Sequence, residues 1–204
     1  MAELGAIHDI GESIAELLKR RRTMLAAEGR LGPVPNSQNI FHMRLGEIAG
    51  NAPPTSGLSI SCFHVGYSDH NLARRAVRDP SSAHGISLEL RYLVASWSST
   101  IEEELAFVSW AMLELNRHPL LDRSLMVHPD RWSREETLQI VPEEASAEEL
   151  FRIWEALKQR YRLSALFRVR VVRIGYGEGS DALPVVASRF GFADTDPVLE
   201  AAAG

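Results

Sequence analysis

The sequence predicts an α+β domain, a mostly antiparallel mixed sheet flanked by helices. Three observations lead there. Strand-like and helix-like runs follow one another without regular βα alternation, which argues against a parallel doubly wound sheet. The 204 residues are 45% hydrophobic and 24% charged, ordinary for one globular domain and enough to bury a core. No internal repeat is visible. The division expected is a single α+β domain over 1–175 and a C-terminal tail or arm over 176–204, where "LPVVASRFGF" has the character of one added strand.

From Ile7 to Glu28, apolar Ile7, Ile10, Ile14, Leu17, Leu18 and Leu25 recur at helical spacing. Asp9 is the expected N-cap, and Gly29 the stop. Lys19 to Arg22 then read as dipole compensation and a solvated face. Residues 30–57 are rich in Pro and Gly, with space for one short strand in "NIFHMRLGEIAG". "GLSISCFHVGY" (57–67) is a strand of small and β-branched residues, and 68–85 is a polar connection.

"ISLELRYLVASW" (86–97) alternates. Leu88, Leu90, Tyr92 and Val94 share one face; Glu89, Arg91, Leu93, Ala95 and Trp97 share the other. A face that starts charged and ends apolar implies a helix covering part of it, expected to be the next element. That helix is capped by Ser99 or Thr100 and opens with Glu102 to Glu104. Its expected core stripe is Ile101, Leu105, Val108, Met112 and Leu115, broadened by Phe107 and Trp110 and closed by Pro119. "ETLQIVP" (136–142) is a short strand. The next helix opens with a capping box, Ser146 with Glu149, and buries Leu150, Ile153, Trp154 and Leu157. "YRLSALFRVRVVRIG" (161–175) is the most strand-like run. Phe167, Val169 and Val171 are assigned to one face, and Arg168 and Arg170 to the other with Val172 and Ile174.

Charge and motifs narrow the function. Residues 1–100 carry 10 basic and 9 acidic side chains (+1), residues 101–204 carry 12 and 18 (−6), for a net −5. Such a balance argues against nucleic-acid binding, which needs a basic face. All but two of the basic residues are arginine, for which codon usage is the simplest account. No uncharged apolar run of about 18 residues is present, and the N-terminus has the reverse charge order of a signal peptide. Cytoplasmic assembly without membrane insertion is the expectation. Cys62 is the single cysteine and reads as a buried small hydrophobe. The seven histidines show no HExxH, so structural or surface roles are expected and no metal or cofactor is assigned. "GYGEGS" (175–180) opens no convincing helix to cradle phosphate. Trp97, Trp110 and Trp154 fall on core patterns, while Trp132 among charges is a cap over a loop or a partner anchor.

Several stretches together resemble one family. They are "LSISCFHVGYSDHNLARR", "LELRYLVASWSSTIEEELAFVSWAMLELNRHPLLDRSLM" and "ETLQIVPEEASAEELFRIWEALKQRYRLSALFRVRVVRIG". A strand ending in Tyr-Leu, a helix stopped by His-Pro, a Leu-x-x-x-Trp-x-x-Leu helix and an Arg-Val-rich strand follow in that order. The chain over about 55–175 is similar to the cap, or tail-terminator, proteins of extracellular contractile injection systems, at their N-terminal cap domain. Residues 30–57 match the family's early strand region poorly, and the sequence runs only a little past the matched core, whereas some relatives carry long C-terminal extensions.

The resemblance implies a tail-terminator-like fold and a structural, non-enzymatic role. It implies a homohexameric ring closing the distal end of inner tube and sheath, with sheath and tube proteins as partners. The particle is released or stays inside the cell. Arg168, Arg170 and Arg173, with Arg91 and Tyr92, then become candidates for contacts between ring neighbours or with sheath or tube, and Arg74 and Arg75 a second patch. A solvated sheet edge is the competing account of the same arginines. Two other functions stay open: an adaptor tethering the particle to a membrane or another component, and a small hydrolase assembled from His64, Asp69 and Ser59.

Overall fold

The computed structural model describes residues 5–32, 34, 39–50, 54–68, 86–132, 134 and 136–174, the side chains of 171 and 173 excepted. The polar connection beyond Ser68, with Arg74 and Arg75, and the stretch after 174 lie outside the described residues. The elements in order are α1 (Ala6–Ala27), β1 (Ile40–His42), α2 (Leu45–Ala49), β2 (Gly57–Tyr67), β3 (Ile86–Trp97), α3 (Ile101–Arg117), β4 (Leu120–Asp122), β5 (Thr137–Glu143), α4 (Ala147–Ala156) and β6 (Ser164–Ile174). Two 3₁₀ turns, Arg123–Leu125 and Pro129–Arg131, join β4 to β5.

The strands form one six-stranded sheet in the order β1-β2-β3-β6-β5-β4. Among the described strands, only β1 with β2 is parallel. The expected α+β class with a mostly antiparallel mixed sheet is therefore observed. β2 and β3 occupy their predicted ranges, because long β-branched runs bounded by Gly and polar residues leave little choice of limits. At Gly57, φ is +116°, and a Cβ there would collide with the Asn39 carbonyl, which accepts from Leu58 N at 2.8 Å. Glycine is what lets the chain before β1 lie this close to β2.

Helices cover both faces. α1 and α3 lie on one, over Leu88, Leu90, Tyr92, Val94, Phe167 and Val169. On the other, Trp154 of α4, Leu157 and Ile48 of α2 cover Leu93, Ala95, Trp97 and Leu166. The division of β3 into two faces is as expected, but the helix over its half-apolar face is α4, not α3. The Trp154 and Trp97 rings meet edge-on at 5.9 Å, and each indole N–H finds a serine, Ser164 and Ser59 respectively.

α3 sits on the sheet rotated from the expected stripe. Val108 and Leu115 of that stripe are buried with Phe107, Trp110 and Ala111, whereas Ile101, Leu105 and Met112 are exposed. Two apolar stripes run along this helix, and the bulkier, aromatic one wins the core. β6 also departs from simple alternation. Leu88 pairs with Val172 and Leu90 with Val169, so Arg170 and Val171 together oppose Glu89. This bulge resets the alternation and returns Val172 and Ile174 to the same core as Phe167 and Val169, where a two-residue period puts them on the arginine face.

The rotation of α3 has a direct check by urea unfolding. Phe107→Ala is expected to cost about 3–5 kcal/mol through loss of a buried ring. Leu105→Ala is expected to stay within about 0.5 kcal/mol of the parent. The opposite ranking would restore the other stripe as the core.

Candidate functional site

Where the Leu93–Trp97 half of β3 is apolar and covered by α4, its other half on the same face is charged. Arg91 Nε donates to Glu143 of β5 at 2.9 Å and its Nη2 to Glu149 of α4 at 2.7 Å. Arg168 of β6 donates to the same Glu143 and, at 3.4 Å, to Glu89. Arg170 Nε lies 3.8 Å from Glu89. Three arginines and three glutamates on β3, β5, β6 and α4 thus form one network with no formal excess charge. The register produces it, since Arg91 stands opposite Arg168 and Arg168 in turn opposite Val141. Two cations that close on adjacent strands require a shared anion, and Glu143 supplies it. The Arg91 guanidinium also lies over Phe63, 4.9 Å from the ring centroid, where the β2 bulge places that ring.

Ionisation follows from these contacts. Burial tends to raise the Glu143 carboxyl, but hydrogen bonds from Arg168 and Arg91 outweigh it, and its pKa lies below the usual value. Burial likewise tends to lower Arg91, yet its two glutamates push the guanidinium up. Arg168 is raised chiefly by its hydrogen bond to Glu143.

Of the residues singled out from sequence, Arg91, Arg168 and Arg170 come together here. Their carboxylate partners belong to the same chain. Tyr92 points to the opposite face and is 1% exposed, where burial raises its phenol pKa well above the ordinary value. Arg173 pairs through its backbone with Ser87, its side chain lying outside the described residues. Ser59 of the hydrolase alternative is fully buried and accepts from Trp97, while Asp69 lies outside the described residues. Trp132 is 3% exposed and part of the core.

Two buried carboxylates carry more of the polar structure than sequence reasoning assigned them. Asp9 does not cap α1, whose N-cap is Gly5. It is buried and takes both its oxygens to Arg131 Nη1, at 3.0 and 3.1 Å, with His128 Nδ1 at 3.2 Å. Glu114 of α3 is buried among Arg21 at 2.7 Å, Arg117 at 3.5 Å and His118 at 3.7 Å. The basic cluster of α1 is therefore not only solvated charge: Arg21 pairs across to α3 and Arg22 is buried. Asp9 and Glu114 fall in otherwise apolar helix faces, and that misplaced polarity was the available signal.

Near the start of α1 lies a cleft of about 440 Å³ lined by Ile7, His8, His42, Met43, Cys62 and Tyr92, among others. His8 Nε2 is 3.2 Å from Glu12, one turn along, and the His8 and His42 rings are 5.1 Å apart. A Cβ on Gly11 would collide with the His42 ring, so this glycine makes room for the imidazole against the helix. Burial, then the charge of His8, lowers the His42 pKa.

A six-stranded sheet with helices on both faces and an internally neutralised charged patch defines the class, a sheet-centred α+β domain. More particularly, the chain belongs to the Pvc16 N-terminal domain family, whose model matches residues 9–188. That match bears out the family resemblance read from the sequence. The chain is similar to the sheath/tube terminator of PVC, an extracellular contractile injection system, in its extended state, with 18% identity over 89% of this chain and 65% of that one and a TM-score of 0.49. It is also similar to the tube-terminating cap of the anti-feeding prophage, with 14% identity over 67% of this chain and 50% of that one and a TM-score of 0.44. The chain thus spans less than two thirds of the first and half of the second. No curated protein matches it.

The network's pH dependence has a definite sign. Glu143 is depressed in the folded state, so its contribution is complete above the unfolded glutamate value of about 4.3 and fades as pH falls through the lower folded value. Glu143→Gln is expected to cost about 1–3 kcal/mol at neutral pH and to flatten the acid limb of stability against pH. Denaturant midpoints between pH 7 and 3 measure both.

Proposed function

We propose that this chain is a structural cap, a terminator ring that closes the distal end of the inner tube and sheath of a contractile injection system. The observation that carries this reading is the family match across residues 9–188, which spans all the described strands. Its partners are copies of itself, in a six-membered ring, and the last tube and sheath layers. Its role is one of shape and contact, with no reaction, and the particle is assembled in the cytoplasm.

Physical reasoning supports the assignment. A stack built on head-to-tail interfaces presents its complement to each incoming subunit and grows without limit. A ring that binds the last layer and offers no such surface beyond it ends that growth. Within the ring, Arg168, Arg170 and Arg173 on β6 and Arg91 beside them are proposed to face neighbours, with Tyr92 supporting them from the core and Arg74 and Arg75 as a second patch. Arg170 is the best placed, at 41% side-chain exposure and with Glu89 only at 3.8 Å. It retains donors for a neighbour's carboxylate.

In cells carrying the complete particle genes, deleting this gene is expected to yield tubes and sheaths of irregular length by electron microscopy. Arg170→Glu in a chain that still folds is expected to weaken docking and give the same defect in part. Normal particle length without the protein would refute the cap role.

A further inference from the structure

We infer that the first turns of α1, at the edge of the cleft, hold a first-row transition-metal ion, zinc fitting best, on the side chains of His8, Glu12 and His42. One ligand atom from each lies within 4.8 Å of the others. Zinc–ligand bonds of about 2.0–2.2 Å in a tetrahedron place ligand atoms about 3.3–3.5 Å apart, so closing the site takes movements of about 1 Å. His8 and Glu12, at 66% and 38% side-chain exposure, have the rotamer freedom for that adjustment. Their spacing of four residues puts both on one side of α1. The third ligand is the fixed one. His42 comes from the edge strand β1, and its ring is seated against the helix where Gly11 carries no side chain. An interior helical glycine is less favourable than alanine, and the imidazole occupies the space it leaves.

The donor set decides the metal. Two imidazoles and one carboxylate suit zinc and its neighbours, whereas calcium and magnesium take oxygen ligands almost throughout. Three protein ligands leave a fourth position for water. A second trio, Asp9, Glu12 and His128, shares Glu12. It is the weaker candidate, because both Asp9 oxygens are held by Arg131, whose positive charge opposes a cation there. The histidines expected to be structural thus have geometry for a link between the N-terminal helix and the sheet edge. The His-x-x-x-Glu spacing of 8 and 12 is not an HExxH pattern, yet it sets an imidazole and a carboxylate one turn apart.

The test is calorimetric titration of zinc chloride into untagged, chelator-treated full chain, with thermal unfolding followed in parallel. One zinc per chain and a raised unfolding temperature are expected. His8→Ala and Glu12→Gln, both at accessible positions and checked for unchanged circular dichroism, are each expected to weaken binding by about tenfold or more. His128→Asn is expected to leave it unchanged. Absence of binding, binding indifferent to His8→Ala and Glu12→Gln, or binding lost in His128→Asn but kept in His8→Ala would each overturn the site. None of these outcomes depends on the cap reading.

Discussion

The charge on β3 is the constraint around which the rest of the structure is arranged. This strand lies between β2 and β6, and the Glu89 and Arg91 side chains are only 21% and 23% exposed. An arginine held there without a carboxylate is a partly desolvated charge left without a partner, which is destabilising. Glu143 and Glu149 meet Arg91 from β5 and α4, and Arg168 closes the set from β6. Three strands and a helix are thereby tied at one point. β5 does not pair with β3 at all; the ions connect two strands that the hydrogen-bond ladder leaves separate.

The bulge in β6 follows from the same arrangement. By opposing two residues to Glu89, it brings Arg170 alongside that carboxylate and restores Val172 and Ile174 to the core within a single strand. A regular β6 would satisfy the apolar positions on one side of the bulge and expose them on the other. The local irregularity is the compromise between charge pairing and burial.

Much of this was legible in the sequence, and the exceptions share a cause. β2 and β3 were readable because their apolar alternation has one interpretation, and β3's two faces followed from it. α3 carries two apolar stripes, and nothing local says whether Phe107 and Trp110 or Ile101 and Leu105 meet the sheet. Which helix covers Leu93 to Trp97 depends on where α4 returns, a non-local fact. Asp9 has the character of a cap when read within α1 alone, because its partners Arg131 and His128 lie more than a hundred residues away. Arg168 and Arg170 of β6 read in the sequence as contacts to neighbours or as a solvated edge; that Glu89 and Glu143 of the same chain meet them is identifiable only once the strand order places β5 beside β6.

Internal neutralisation also bears on how this surface can serve an assembly. An unpaired arginine buried against a neighbour must shed water before it gains a partner, and the penalty offsets most of the attraction. A patch of three arginines and three glutamates already satisfied within the chain has lost part of that water on folding, so docking against it costs less. In the proposed ring, the remaining donors on Arg168 and Arg170 would select register and orientation more than supply affinity. There such a surface would accept one correctly placed neighbour and disfavour a displaced one, since a shift of one residue sets like charges opposite each other. Length control by a terminator demands that kind of discrimination: contact with the last layer must be favoured in one geometry, and continuation in the same geometry must not be.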